Sequence, residues 1–359
     1  MTLTARFPDR RAVTMTGTTP GISSAVRQLR DLSLSGARAA ALRAAAELGL
    51  ADVIGEAPAS LADLATAVEA DPGALRRLLR ALTWQGVFAE LADGTYAHTD
   101  MSRLLRADTP DTLKDIVLWS TEPWTWELWP HLAKSVRTGK AAFPDLHGDD
   151  FFGYLRTEAP ESARAMDRAM TQSSHLSERA IVDSLDLSGA TKVVDVCGGR
   201  GHLLAALTEK YPAVQGVLFD TQEALDNADD RLREGGAAAG RVSLVAGDIR
   251  QAIPVEADVY VLKNILEWND ENAVAVLRSV AAAAPPGARI VVIGNVVDAS
   301  PEVTFTTSVD LMLLLNVGGG RRTMSEFRTL IEKGGLTVES DRAVDAYLAL
   351  LECRVADRP

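Results

Sequence analysis

The sequence predicts an α/β fold in which helices cover both faces of a mostly parallel sheet, preceded by an all-helical domain. Short apolar runs rich in β-branched residues recur from residue 193 onwards, and segments of helical periodicity separate them. That alternation predicts the sheet. Residues 22–50 are strongly apolar at helical spacing and rich in alanine, which predicts the helical domain before it. A length of 359 residues is sufficient for both parts.

One strand–turn–helix–strand unit lies near the middle of the chain. The apolar run 193–196 suits a strand buried on both faces, and Cys197–Gly201 supplies a turn at which a ligand can approach the backbone closely. A helix is predicted over 202–211, and a second strand ends at Asp220. Asp220 follows Gly201 by 19 positions (220 − 201), close to the spacing at which an acid meets a ribose in such units. The unit therefore predicts a nucleoside-binding site.

The alternation of strands and helices continues towards the end of the chain. Helices are predicted at 223–233, 271–284 and 325–333, strands at 242–245, 257–262 and 289–293, and a final antiparallel pair from Val338 onwards. Ligands of such sheets bind beyond the carboxyl ends of the strands. Here those ends carry Asp195–Gly201, Asp220, Asp248, 263–268 and Asn295.

A winged-helix pattern follows the first apolar helices. Ser60 and Asp71 are predicted helix caps, Pro72 begins the second helix, and two short strands flank the turn at Asp93–Gly94. Such modules often bind DNA, but the formal charge of −12 disfavours a nucleic-acid partner. Burial against a second copy of the chain explains the apolar helices, and we therefore predict a homodimer.

Composition limits the remaining classes of function. Hydrophobic residues make up 47% and charged residues 24% of the chain, as expected for a protein with a substantial core. The two cysteines, Cys197 and Cys353, have neither metal-site nor disulfide spacing, so we predict no metal and a reducing, cytoplasmic location. No apolar run approaches membrane-spanning length, so no membrane partner is expected.

Aromatic residues are concentrated in the segment 112–155. It holds four of the six tryptophans, in a chain with 5% aromatic residues. Trp124, Trp126 and Trp129 cannot share one helical face, so we predict that some of them line a cavity; the alternative is a hydrophobic seam between domains. The predicted substrate-binding residues are Trp119, Trp124, Trp126, Phe152, Met166 and Asn316.

The glycine turn and its flanking acids carry a resemblance to a known family. A dinucleotide fingerprint would need a small residue where Leu204 stands. The turn is instead similar to the D-x-G-G-G-x-G loop of class I S-adenosylmethionine methyltransferases, with Cys197 in place of the first glycine. From about Leu29 to Arg354 the chain resembles the plant-type small-molecule O-methyltransferases of actinobacterial natural-product pathways. The segments that carry this resemblance are VVDVCGGRG, LFD, AGDI, VLKNILEWNDENAV and GGGRRTMSEF.

The resemblance implies a Rossmann-like class I methyltransferase domain and a set of cofactor-binding residues. Gly198, Gly199 and Gly201 would hold the amino-acid part of S-adenosylmethionine, and Asp220 would accept hydrogen bonds from both ribose hydroxyls. Asp248 would contact the adenine amino group. The remaining implied cofactor-binding residues are Met170, Ser174, Asp195, Ile249 and Lys263.

The catalytic segment departs from the family pattern. The family typically reads L-K-H-I-L-H-D-W-D-D-E, where the second His takes a proton from a phenol, whereas Leu262–Glu271 reads LKNILEWNDE and is one residue shorter. Glu267 therefore either replaces that His or replaces the following Asp, with the His deleted. Two family glutamates also correspond to Asn295 and Arg321 here. The predicted catalytic residues are Glu267, Asn264 and Asn295, although Glu267 also suits a solvated position at the start of a helix.

The resemblance implies a cytoplasmic, homodimeric enzyme that methylates an aromatic small molecule and releases S-adenosylhomocysteine. O-methylation is the expected reaction. The altered catalytic residues leave open C- or N-methylation of an electron-rich ring, and also hydroxylation, decarboxylation or cyclisation with the cofactor as a placed cation. The implied domains are a disordered leader (1–21), a helical dimerisation and winged-helix domain (22–110), a helical linker lining the substrate pocket (111–185) and the catalytic domain (186–359).

Overall fold

The computed structural model describes residues 23–299 and 303–356. The described chain forms two compact units. The first contains the residues up to Thr125 together with Glu161–Ser173, and the second contains Trp126–Pro160 and the chain from Ser174 onwards. The predicted leader, 1–21, lies outside the described residues.

The first unit is mainly helical. Its elements are α1 (Ser24–Ser33), α2 (Ser35–Glu47), α3 (Leu50–Val53), α4 (Leu61–Ala67), α5 (Pro72–Trp84), β1 (Phe88–Glu90), β2 (Tyr96–His98), α6 (Asp100–Arg103) and α7 (Lys114–Ser120). As the sequence predicts, the Ser60 hydroxyl accepts the Asp63 N–H at 3.2 Å, and the Asp71 carboxylate accepts the Ala74 N–H at 2.7 Å. Strands β1 and β2 pair antiparallel, so the predicted helices and hairpin form.

The second unit contains a mixed, mostly parallel sheet. Its helices, with two that extend into the first unit, are α8 (Pro123–Leu128), α9 (Leu132–Thr138), α10 (Phe143–His147), α11 (Phe151–Thr157), α12 (Pro160–Ser184), α13 (His202–Lys210), α14 (Gln222–Asp226), α15 (Asp270–Ala283), α16 (Val303–Val317) and α17 (Met324–Lys333). Its strands are β3 (Lys192–Val196), β4 (Gln215–Asp220), β5 (Val242–Ala246), β6 (Val259–Lys263), β7 (Arg289–Asn295), β8 (Leu336–Ala343) and β9 (Leu348–Val355). The strand order is β5-β4-β3-β6-β7-β9-β8, and the pairings of β9 with β7 and β8 are antiparallel. The predicted α/β class is confirmed.

Both faces of this sheet are covered by apolar side chains. Val194 and Val196 of β3 join one core cluster with side chains of α15 and α17. Val193, which precedes Val194, points to the opposite face, where it packs in a second cluster with side chains of α12 and α13. Successive strand residues alternate between the faces, so a strand that is apolar throughout must be buried on both.

Two features differ from the sequence prediction. The predicted helix 223–233 is wrong in its second half, because α14 ends at Asp226 and a short 3₁₀ turn follows at Asp230–Leu232. Asp229 is extended there; its N–H bonds to the Arg200 carbonyl at 2.8 Å, and its carboxylate caps the turn. Helix α16 was not predicted, because its apolar residues show no one-sided periodicity. No helix of the described residues is long and apolar enough to cross a membrane.

Candidate active site

The glycine turn after β3 packs closely against the neighbouring strand. A side chain at Gly198 would overlap the Asp195 carboxylate and approach Leu218 to 2.8 Å. Gly201 has a φ of +76°, and a side chain there would lie 2.6 Å from Leu232. Gly199 has open space beside it and a φ of +60°. The turn therefore requires glycine for packing and for backbone conformation, while its middle leaves room for a ligand.

Asp220 lies at the carboxyl end of β4 and holds this turn. Its carboxylate accepts the N–H of Gly199 at 2.8 Å and the N–H of Thr221 at 2.7 Å. Burial raises the pKa of Asp220, although these two hydrogen bonds oppose the rise. A carboxylate has about four acceptor sites, so Asp220 can accept further hydrogen bonds from a ligand.

A second carboxylate and a lysine lie at the ends of the adjacent strands. Asp195 is 1% exposed, and burial raises its pKa to about 7 while nearby Lys263 opposes that rise. Burial in turn lowers the pKa of Lys263, whose Nζ donates to the Ser174 hydroxyl at 3.1 Å. The Asp195 Oδ2 is buried and has no hydrogen-bond partner among the described residues. The predicted cofactor-binding residues Asp195, Lys263 and Ser174 thus lie near one another, and Asp195 contributes the polar atom that lacks a partner among the described residues.

The remaining predicted cofactor-binding residues have mixed environments. Asp248 binds the backbone and guanidinium of Arg250, which lowers the pKa of that carboxyl, so contact with adenine would compete with an existing ion pair. Ile249 is buried, at 4% exposed, in the core cluster that also contains Phe219. Met170 belongs to the first unit and is 44% exposed.

Glu267 lies in the loop between β6 and α15 and is not a solvated surface residue. Its side chain is 14% exposed, and its Oε1 lies 3.0 Å from Nη1 of Arg321. Burial raises the pKa of Glu267, while Arg321, Lys263 and Arg322 act in the opposite direction. The two atoms of the ion pair are close but not aligned as a hydrogen bond, and each lacks a hydrogen-bond partner in the described chain.

The other two predicted catalytic residues contact each other. Asn264 adopts a φ of +57°, a left-handed conformation that asparagine tolerates better than most residues, and this turns the chain at the end of β6. Asn295 at the end of β7 is 7% exposed and donates its amide to Asn264 Oδ1 at 3.3 Å. This pair connects the two strand ends and holds the start of the Glu267 loop.

The predicted substrate-binding residues are divided between the two units. Trp119, Trp124 and Met166 belong to the first unit, and Trp126, Phe152 and Asn316 belong to the second. Phe152 is 38% exposed and packs edge-on against Phe151 and Trp268. Asn316 is 4% exposed, and its Oδ1 has no hydrogen-bond partner in the described part of the chain. Their joint role in one pocket stays a prediction.

The sequence analysis missed the pairing of Glu267 with Arg321. Arg321 follows the triple glycine 318–320, and this loop also lines a cavity of about 440 Å³ beside α17. The predicted cofactor-binding residues do not line that cavity. No cluster of His, Cys, Asp and Glu side chains in residues 23–299 and 303–356 has the arrangement of a metal site.

Comparison with known proteins identifies the family. Residues 129–337 match the model of the O-methyltransferase domain, and residues 31–108 match that of the O-methyltransferase dimerisation domain. The chain belongs to the O-methyltransferase family. This methyltransferase uses S-adenosylmethionine.

Individual relatives extend the comparison. A mitomycin biosynthesis 6-O-methyltransferase of Streptomyces lavendulae is 36% identical over 319 residues, covering 88% of this chain and 90% of the relative. A phenazine-1-carboxylate N-methyltransferase of Pseudomonas aeruginosa is 35% identical over 303 residues, covering 84% of this chain and 88% of the relative. One similar structure is that of an O-methyltransferase from neocarzinostatin biosynthesis in complex with S-adenosylmethionine and 2-hydroxy-5-methyl naphthoic acid. It has a TM-score of 0.78 at 31% identity, and the match covers 94% of this chain and 100% of that chain.

The residues present suit this cofactor. The end of β4 provides a carboxylate with free acceptor sites for a diol, and the turn at Gly199 leaves open space. Lys263 and Ser174 form a donor pair suited to a carboxylate, and the unsatisfied Asp195 Oδ2 suits a cationic or N–H donor group.

Proposed function

We propose that this methyltransferase transfers a methyl group to a hydroxyl oxygen of an aromatic small molecule, with Glu267 as the residue that takes the hydroxyl proton. The observation that supports the proposal is the position of Glu267 at the carboxyl end of the sheet, where ligands of such folds bind, with a buried carboxylate oxygen that lacks a hydrogen-bond donor. Several relatives with aromatic substrates, among them a mitomycin and a naphthoate methyltransferase, support the substrate class.

The environment of Glu267 suits a general base. When bound, S-adenosylmethionine supplies a methyl group on a positively charged sulfur, and methyl transfer breaks the carbon–sulfur bond with its electron pair left on sulfur. Placing the hydroxyl and the methyl group together provides much of the rate enhancement in reactions of this kind. Burial raises the pKa of Glu267, which makes the carboxylate a stronger base than an exposed one.

We further propose which residues bind each part of the cofactor. In the proposal Asp220 binds the ribose hydroxyls, the turn 198–201 surrounds the amino-acid part, and Lys263 with Ser174 binds its carboxylate. The Asp195 carboxylate lies beside Gly198 and leaves no space for a side chain there. These residues orient the cofactor, whereas Glu267 and the Asn264–Asn295 pair face the acceptor.

The protein is further proposed to act as a homodimer in the cytoplasm. Helix α1 exposes Leu29 at 71% and Leu32 at 69%, as expected for a helix that packs against a second copy. The match to the dimerisation-domain model supports this. Cys197 and Cys353 are both free thiols, which is compatible with a reducing compartment.

The test replaces Glu267 with glutamine and follows methyl transfer. Acceptors from a set of hydroxylated, aminated and unsubstituted fused-ring aromatics are incubated with S-adenosylmethionine labelled with ¹³C in its methyl group, and the chemical shift of the product methyl identifies the methylated atom. Loss of a general base lowers turnover by roughly 100- to 10,000-fold, and we expect this for Glu267→Gln with unchanged affinity for S-adenosylhomocysteine. The exposed Glu271, four residues further on, provides the matched control Glu271→Gln. Wild-type turnover in Glu267→Gln would remove Glu267 from the reaction.

A further inference from the structure

Arg321 carries two buried nitrogen atoms that donate no hydrogen bond within the described part of the chain. Its side chain is 10% exposed. Neither Nε nor Nη1 has a hydrogen-bond partner among the described residues, and the facing Glu267 Oε1 also lacks one. A buried polar group left unsatisfied destabilises the protein, and more strongly if it is charged. The pair therefore has free capacity on both sides: the guanidinium can donate and the carboxylate can accept.

Backbone contacts hold the two residues in this arrangement. The Gly320 N–H donates to the Glu267 carbonyl at 2.9 Å, and the Arg321 N–H donates to Asp310 Oδ1 at 2.7 Å. A side chain at Gly319 would overlap the Glu267 carbonyl, so this contact needs glycine. The backbones of the two loops are thus fixed together, while the ion-paired side-chain atoms Glu267 Oε1 and Arg321 Nη1 have no hydrogen-bond partner among the described residues.

The adjacent Arg322, in the same loop, differs from Arg321 because its guanidinium is hydrogen-bonded to the protein. Its guanidinium donates to the carbonyls of Leu266 and Trp268 and pairs with Asp270 at 2.8 Å. Each of these bonds fixes the Glu267 loop. Within residues 23–299 and 303–356, Arg321 makes no such side-chain hydrogen bonds from Nε or Nη1, so these two atoms can donate to a ligand.

We propose that Arg321 is a second catalytic residue, which binds the acceptor hydroxyl together with Glu267 and selects oxygen over nitrogen as the methylated atom. This proposal rests on the proposed function. A hydroxyl is the group that satisfies both sides at once, because its O–H donates to Glu267 while its oxygen lone pair accepts from Arg321. Proton transfer breaks the O–H bond, adds the proton to the Glu267 carboxylate and leaves the electron pair on oxygen. The resulting oxyanion then faces the Arg321 cation.

An amine fits this pair less well. An aromatic amine can donate an N–H to Glu267, but its one lone pair is the nucleophile and cannot also accept from Arg321. Methylation would also develop positive charge on nitrogen beside the guanidinium, which is repulsive. An unsubstituted ring carbon offers neither group. The Glu–Arg pair therefore discriminates between acceptors, a choice that the fold alone does not make, since the structure of an N,N-dimethyltransferase shares this fold.

Other charged groups act on this site as well. Lys263 and Arg322 lower the pKa of Glu267 and Asp310 raises it. These residues lie on the strand end, the loop after α16 and α16 itself, and they remain in place in every variant below. A change seen on removing only the Arg321 charge is therefore attributable to Arg321.

The first experiment measures the ionisation of a bound phenol. 4-Nitrophenol absorbs differently as phenol and phenolate, so its absorbance against pH gives its pKa when bound to the full-length protein loaded with S-adenosylhomocysteine. An opposite charge within hydrogen-bonding range shifts a pKa by about 1–3 units. We therefore expect the pKa of bound nitrophenol to rise by about one unit or more in Arg321→Gln, and to fall by a similar amount in Glu267→Gln. Arg328→Gln, which removes an ion-paired arginine of α17, serves as the control and should leave it unchanged.

A wild-type protein that binds no nitrophenol in equilibrium dialysis would overturn the proposal, as would the same bound pKa in wild type and Arg321→Gln. Circular dichroism and S-adenosylhomocysteine affinity establish that each variant is folded.

The second experiment separates this inference from the proposed function. Labelled S-adenosylmethionine is supplied with 1-naphthol and 1-naphthylamine in competition. Label on the naphthol oxygen, lost at least about 100-fold in Arg321→Gln, supports the proposal. Label on the amine nitrogen with no effect of Arg321→Gln would overturn oxygen selection while methyl transfer stands. The expected nitrophenol shifts without label on either acceptor would leave the hydroxyl-binding pair intact and contradict the proposed function.

Discussion

Replacement of Asp195 by asparagine should make the ligand-free protein less sensitive to rising pH. The Asp195 carboxylate is 1% exposed and accepts the backbone N–H of Leu204, and its Oδ2 has no hydrogen-bond partner among the described residues. Its pKa is raised from 3.8 to about 7 because burial disfavours the charged form. Asparagine has nearly the same shape and can still accept from Leu204, but it carries no charge at any pH.

Proton linkage gives the direction and the size of the change in the free energy of unfolding with pH. At about pH 5 the native carboxyl is protonated and the unfolded one is ionised, so the native state binds more protons and stability falls as pH rises. A pKa of 3.8 in the unfolded chain and about 7 in the native one gives a loss of roughly 3 kcal/mol between pH 5 and pH 8, at about 1.36 kcal/mol for each pKa unit. The loss is complete once the pH has passed through the native pKa. Asp195→Asn removes this contribution.

Urea unfolding of both proteins, dialysed free of ligand, at about pH 5 and about pH 8 measures the effect. The free energy of unfolding of the wild type should fall between these pH values by roughly 3 kcal/mol more than that of Asp195→Asn. Titrating groups far from Asp195 are common to both proteins and cancel in the difference. A difference between the two proteins that is the same at both pH values would refute a raised pKa at Asp195.

Three further predictions concern the cofactor turn and the first helices. Asp220→Ala should weaken S-adenosylhomocysteine binding by at least about 100-fold, because two ribose hydroxyls lose a charged acceptor; calorimetric affinity within threefold of wild type would contradict the assignment. Gly201→Ala should destabilise the protein by about 1–3 kcal/mol in thermal unfolding, since the new methyl would meet Leu232 at 2.6 Å and φ is +76°. Gly189→Ala, with a φ of +82° but open space, should lose only the strain part, about 1 kcal/mol, and an equal loss would discount the contact. Deletion of the residues before Arg38 should disrupt the dimer in light scattering, because it removes the exposed apolar face of α1; a persistent dimer would count against that interface.

Local sequence patterns predicted the sheet and the cofactor turn. The run 193–196, the glycines after it and the acid at 220 form one continuous strand–turn–helix–strand unit, and the contact of Gly199 with Asp220 follows from that unit. Helix caps such as Ser60 and Asp71 were equally predictable, because each bonds to an N–H only three residues away. Domain boundaries and site roles stay predictions.

Features that local sequence patterns did not predict depend mainly on tertiary contacts. The helix predicted through residue 233 breaks because the Asp229 backbone bonds to Arg200, in a turn far away in sequence. Helix α16 was not predicted, because apolar residues lie on every side of it and its sequence therefore shows no helical periodicity of hydrophobic residues. The partner of Glu267 lies on a loop after α16, and no spacing in the sequence connects the two.

By itself, therefore, the sequence determined the fold class, the family resemblance and the acid at the end of β4, since these depend on neighbouring residues and on hydrophobic period. Only the tertiary structure decided that Glu267 is buried rather than solvated and that its partner is a cation. Burial and ion pairing depend on which loops meet at the carboxyl end of the sheet, and it is these two effects that set the proton affinity of the carboxylate.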